Sequence, residues 1–133
     1  MIVLSNTEAQ TLTPGQAIVF DTVPFHSGNG ECHRSNSSSV KMRANGCYEI
    51  SFSANVAATA ANAVQLSIQV GGETLPETTR ISTPTAADSF NPVAMETEVR
   101  NCCGDYDRVT VVNTGTTDII VGAGSALRVA RNA

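Results

Sequence analysis

From Asn45 to Val70 the chain reads NGCYEISFSANVAATAANAVQLSIQV, a stretch that twice spells a strand with apolar residues at every second position. Tyr48, Ile50, Phe52, Ala54 and Val56 alternate with Glu49, Ser51, Ser53 and Asn55; Val64, Leu66, Ile68 and Val70 then alternate with Gln65, Ser67 and Gln69. A period of two places each apolar set on one face of a pleated strand, so both segments bury one side and present a polar one. That pattern belongs to an antiparallel sheet. The two polar faces differ, because the first carries Glu49 while the second is uncharged amide and hydroxyl.

Further strands are expected on either side. Thr13-Pro14-Gly15 signals a turn before a first firm strand at Ala17 to Asp21, and residues 26–39, rich in Ser, Asn and Gly, read as a long loop or weak edge. Val40, Met42 and Ala44 alternate with Lys41 and Arg43, and Asn45-Gly46 is expected to close a hairpin into the next strand. Downstream, strand patterns recur near Thr78 to Ser82, from Val93 to Arg100, Arg108 to Asn113, Asp118 to Val121 and Ala126 to Arg131. About eight short strands with no convincing helix imply an all-β, antiparallel chain, a two-sheet sandwich or jelly roll. The 133 residues suit a single domain, residues 1–133, in which residues 1–12 form an N-terminal segment or attachment arm.

A net charge of −4 with Lys41 as the sole lysine argues against a nucleic-acid surface. No apolar run approaches the ~20 residues of a membrane helix, and the first ten residues lack a basic segment followed by an apolar one. The expected chain is made in the cytosol without a signal peptide and reaches a virion, cell or spore surface only by another route, such as release of a particle by lysis.

Gly46-Cys47-Tyr48-Glu49-Ile50-Ser51-Phe52 resembles the Gly-x-Tyr-x-Phe-x-Phe strand of the jelly roll shared by the complement first-component globular head and the tumour necrosis factor superfamily, with Ile50 in one aromatic place. Val64 to Glu73 is similar to the next strand and its turn, and Arg108 to Val121 to the late hairpin; Leu127 to Arg131 stands where the family has a closing aromatic strand. The order of pieces also resembles short proteins of Clostridia-type bacteria and their phages. The resemblance implies a homotrimer in which one sheet face packs around a threefold axis. The uncharged outward positions Gln65, Ser67 and Gln69, with Thr110 and Val112 beside them, are the expected trimer interface, because neutral polar groups are easier to bury than carboxylates. Glu49, Glu96 and Glu98 are expected to form an acidic solvent face on the other sheet.

The reactive side chains are Cys32-His33 and Cys102-Cys103, with Cys47 near them if the loops meet at one end of the sandwich. Thiolate and imidazole are the preferred ligands of zinc, yet adjacent ligands chelate less readily than Cys-x-x-Cys, so a structural zinc, a disulfide from Cys32 or Cys47 to Cys102 or Cys103, and free thiols all remain open. Asp105 and Asp107 offer oxygen ligands in a turn, a weak calcium signal. There is no Gly-x-Ser-x-Gly elbow, no phosphate-binding glycine loop and no His-x-His pair, and the expectation is no enzyme.

The function expected from the sequence is therefore a trimeric structural or binding module displayed on a larger particle, a phage virion appendage or decoration or a bacterial surface or spore protein. Its partners would be itself, particle subunits, and a host receptor or glycan. The alternative is a metal-dependent small-molecule enzyme on the same scaffold.

Overall fold

The computed structural model describes residues 1–28, 30–59, 63–83, 86–101 and 107–132. Among them lie thirteen strands and a single turn of 3₁₀ helix at Pro76–Thr78. The strands are β1 (Ile2–Ser5), β2 (Gln10–Leu12), β3 (Thr22–His26), β4 (Glu31–His33), β5 (Val40–Met42), β6 (Gly46–Ala58), β7 (Val64–Val70), β8 (Glu73–Thr74), β9 (Arg80–Ser82), β10 (Asn91–Asn101), β11 (Arg108–Asn113), β12 (Ile119–Val121) and β13 (Ala126–Arg131).

They form two antiparallel sheets. In the seven-stranded sheet A the order is β2-β12-β6-β13-β1-β3, with β10 on the other edge of β6; in the six-stranded sheet B it is β4-β5-β11-β7-β8, with β9 also on β7. β6 organises sheet A because it is long enough to hold β10 along one edge and to share the other between β13 and β12. The chain is thus an all-β jelly-roll sandwich.

The alternating residues meet between the sheets as expected. Tyr48, Ile50, Phe52, Leu66, Ile68, Phe20, Val109, Val111, Leu127 and Val129 are buried, and Val70 packs against this cluster while partly exposed. Tyr48 also carries a polar tip: its hydroxyl lies 2.8 Å from the Gly30 and Ala44 carbonyl oxygens and accepts from the Ala44 N–H at 3.2 Å. Burial pushes the Tyr48 phenol above its ordinary pKa, opposed by the Ala44 hydrogen bond, with the negative charge of Glu31 adding to the rise.

Three expectations are corrected. Residues 1–12 are not a detached arm, since β1 is an interior strand of sheet A and Ile2, Leu4 and Leu12 lie in the core. Asn45-Gly46 does not close a hairpin: β5 belongs to sheet B and β6 to sheet A, so the turn carries the chain from one sheet to the other. Ala17 to Asp21 forms only isolated bridges, Ala17 with Val112 and Phe20 with Ser37, although Ile18 and Phe20 are fully buried.

The chain after β1 is pinned by Asp21, which accepts from the Thr7 N–H (3.0 Å), the Thr7 hydroxyl (2.6 Å) and the Thr22 hydroxyl (2.9 Å). The Thr7 hydroxyl first, and the Thr22 hydroxyl next, hold the Asp21 carboxyl below its ordinary pKa. A carboxyl depressed on folding stabilises the native state above its unfolded pKa, and that contribution is lost as pH falls through the lower folded value. Thr7→Val is expected to move the Asp21 titration upward toward the ordinary carboxylate range, read from its side-chain carbon resonance across an acid titration.

Candidate functional site

The outer face of sheet A carries an open groove. Cross-strand register sets Phe25, Val3, Arg128, Ser51 and Glu96 side by side across β3, β1, β13, β6 and β10. The neighbouring row contains Ala126, Ser53 and Ala94, where short side chains leave the sheet low. Together with Arg80, these rows from Val3 to Glu96 and from Ala126 to Ala94 line the open groove, about 500 Å³ in volume. Arg80 reaches across from β9 to donate to the Ala94 carbonyl at 3.1 Å and also bonds the Glu77 and Thr79 carbonyls, which ties the edge of sheet B to β10.

This face is not acidic. Glu96 and Glu98 are exposed, but Arg100 is exposed beside them and Arg128 lies 3.5 Å from Glu49. Arg100 shares β10 with Glu96 and Glu98, whereas Arg128 comes from a strand remote in sequence, so only the register places it beside Glu49. The center of the face remains neutral and small-sided, while the charges stand around it.

The expected interface on sheet B has a different character. Ser67 is fully buried within the chain, with its hydroxyl 2.8 Å from that of Thr79 and 2.9 Å from that of Thr114. Gln65 donates to the Thr114 hydroxyl at 3.1 Å, and Gln69 to that of Thr74 at 3.0 Å. Val112 is only 5% exposed and bridges Ala17, while Thr110 stands opposite Gln69 and is half-buried. The uncharged polar run on β7 is therefore largely satisfied by hydroxyls of its own chain, a pairing that its alternation could not reveal.

Of the expected metal set, Cys102 and Cys103 lie outside the described residues, as does Asp105. Cys32 and Cys47 are half-buried free thiols. The His33 ring sits between main-chain carbonyls, with Nδ1 2.9 Å from Ser39 O and Nε2 3.1 Å from Phe20 O; the Ser37 hydroxyl is 3.3 Å from Nδ1. A metal on His33 would have to displace one of these contacts, which join β4 to two neighbouring segments. Among the described residues no three His, Cys, Asp or Glu side chains gather in a metal-binding group. His26 is exposed, with Nε2 3.0 Å from the Glu31 carbonyl oxygen.

Sequence reading missed Glu31. Its side chain is 1% exposed, and Oε1 lies 2.8 Å from the Met1 ammonium, an ion pair at the edge of the core. Nothing in Gly30-Glu31-Cys32 distinguishes that glutamate from a surface one.

No family model matches this sequence, and no curated protein matches it. The fold does have counterparts among solved structures. The globular domain of zebrafish complement 1qA protein aligns over 98% of this chain and 98% of its own at 11% identity, with a TM-score of 0.70. Eiger TNF from S. frugiperda aligns over 99% of this chain and 91% of its own at 14% identity and a TM-score of 0.73, and murine APRIL over 96% of each at 11% and 0.61. At such identities the likeness establishes architecture alone: the chain has the jelly-roll fold of the complement globular head and tumour necrosis factor proteins.

Proposed function

We propose that the chain is a non-enzymatic binding module that assembles as a homotrimer through the outer face of sheet A and displays its loops in three copies. The observation that carries this is the neutral, small-sided centre of that face, where Ser51, Ser53, Ala94 and Ala126 open a groove of about 500 Å³ with Glu and Arg side chains around it. A low centre admits close approach of another backbone, and rim charges of both signs can pair across a contact without being buried alone. The threefold order follows from the family resemblance of the Gly46 to Phe52 stretch. Display on a particle, a phage virion or a bacterial cell or spore surface, rests on the separate resemblance to short proteins of Clostridia-type bacteria and their phages. Three linked copies would convert weak single contacts into useful avidity.

This moves the contact away from Gln65, Ser67, Gln69, Thr110 and Val112. Ser67 and Val112 are already covered within the protomer, and the two glutamine amides have partners there, so pairing that face with another chain gains less.

Two substitutions separate the alternatives. Ser53 is exposed beside Ala94 and Ala126, so Ser53→Glu would place an unpaired carboxylate in each contact and is expected to weaken assembly by about a hundredfold or more. Gln69→Glu, on the half-exposed face of β7 in sheet B, is expected to leave the trimer intact. Native mass spectrometry and light scattering give the mass, and circular dichroism checks the protomer. Dissociation by Gln69→Glu with an intact Ser53→Glu trimer would return the contact to sheet B; a wild-type monomer at micromolar concentration would remove the assembly.

A further inference from the structure

We infer that the depression at the end of sheet B, between Ser38-Ser39, the Gly71-Gly72 turn and Asp107-Arg108, is a binding site for a neutral hexopyranoside. The inference deepens the reading of the chain as a binding module, since it names a ligand class and the residues that would hold it.

The depression has a volume of about 430 Å³. One wall is the β7–β8 turn, in which Gly71 and Gly72 have φ of +62° and +85°, a conformation that side chains rarely accept. Among the described residues a Cβ on Gly72 would meet nothing within 4 Å, so its bare backbone forms a shelf without side chains. The Gly71 N–H is held by the Arg108 carbonyl at 3.0 Å, which fixes the shelf against β11.

The polar groups around the shelf have hydrogen-bonding capacity to spare. Asp107 presses its carboxylate against Gly71, with Oδ1 3.1 Å from the position a Cβ would take there, yet it accepts no side-chain hydrogen bond and joins no ion pair among the described residues. Arg108 is exposed and anchored by one contact, from Nη1 to the Ser39 hydroxyl at 3.2 Å, leaving its other N–H groups unspent. An acceptor-only carboxylate, a donor-only guanidinium and serine hydroxyls on a side-chainless floor suit a ligand that donates and accepts along one edge. A vicinal diol does both: one hydroxyl donates to the carboxylate while its neighbour accepts from the guanidinium, and the C–H face of the ring lies on the glycine shelf.

The charges select against other classes. An anion would gain Arg108 but face Asp107, and a cation the reverse, whereas an uncharged polyol uses both without paying for either repulsion. The depression also lies on the sheet opposite the proposed assembly face, so all three copies would remain accessible.

Methyl glycosides of glucose, galactose, mannose and N-acetylglucosamine are the probes, titrated into isotopically labelled full-length protein while amide resonances are followed. Saturable shifts at Ser39, Gly71, Gly72 and Arg108 are expected with at least one of them, with a Kd of roughly 1–10 mM for so open a site. Asp107→Asn is expected to weaken binding by about tenfold, and Ser39→Ala, which frees the Arg108 anchor, by a smaller factor. The absence of shifts at these amides with all four sugars overturns the site, as does a response confined to N-acetylneuraminic acid, which would mark an anion site. Because a free monosaccharide reports on one protomer, the shifts should persist in Ser53→Glu protein; a monomeric wild-type protein with these shifts sinks only the assembly, and a wild-type trimer without shifts sinks only the site.

Discussion

Phe52→Ala is expected to lower the unfolding free energy by about 3–5 kcal/mol, the largest stability effect of any single substitution proposed. Phe52 stands at the middle of β6, opposite Met95 of β10 on one side and Leu127 of β13 on the other, and is 2% exposed. Removing the ring subtracts its transfer free energy and leaves a void that two neighbouring strands, themselves hydrogen-bonded to β6, cannot move in to fill. Urea unfolding should show a lower midpoint with an unchanged slope, since the surface exposed on unfolding changes little. Phe25→Ala supplies the control: Phe25 is 48% exposed on edge strand β3, so its loss should stay within about 0.5 kcal/mol. Equal effects at the two positions would mean that β6 is not the centre of the core.

That contrast between two phenylalanines marks how far the sequence could be read. The alternation from Tyr48 to Val56 and Val64 to Val70 identified both central strands and their buried faces, because one-sided burial imposes a period of two that composition cannot imitate. Ala126 to Arg131 was legible for the same reason. Ile2 to Ser5 was not: four residues are too few to show a period, and their place as an interior strand depends on pairing with β13, more than a hundred residues away. Asn45-Gly46 announced a reversal correctly but not its destination, since a turn residue specifies local dihedrals and says nothing about which sheet receives the next strand.

The candidate site was less legible still. Ser51 and Ser53 read only as part of a polar strand face, and Glu49, Glu96 and Glu98 suggested an acidic one. Register brought Arg128 beside Glu49, and the reach of Arg80 over the edge of β10 added a second guanidinium to the groove. Conversely, the uncharged run Gln65, Ser67, Gln69 invited an intermolecular explanation, while Thr79 and Thr114 satisfy Ser67 from within. Absence of charge on a strand signals burial, but it does not say whether the covering surface belongs to the same chain or to another.

Asn6 extends the same point to a position with no sequence signal at all, and it carries the second large expected effect. It is 2% exposed just after β1, and its side chain uses every strong contact available to an amide. Nδ2 donates to the carbonyls of Glu8 at 2.8 Å and Gly122 at 3.1 Å, while Oδ1 accepts from the Ser125 N–H at 3.0 Å and from the Ser125 hydroxyl. One side chain thereby fastens the start of the chain to the turn that leads into β13. Asn6→Ala strips partners from buried groups rather than from solvated ones, and a cost of about 2–4 kcal/mol in urea unfolding is expected. Asn6→Asp isolates the donor contribution, because it preserves shape and the acceptor facing Ser125 but turns a second oxygen toward two carbonyls. Burial and those carbonyls would raise the folded pKa of the new carboxyl above its unfolded value of about 3.9. Its penalty should therefore be smallest below that value, where the protonated form still donates to one of the two carbonyls, and grow as pH rises through the folded pKa. Relative to wild type, Asn6→Asp should lose stability from acid to neutral pH while the deficit of Asn6→Ala stays flat. A flat Asn6→Asp deficit would mean that the amide nitrogen does not face the Glu8 and Gly122 carbonyls.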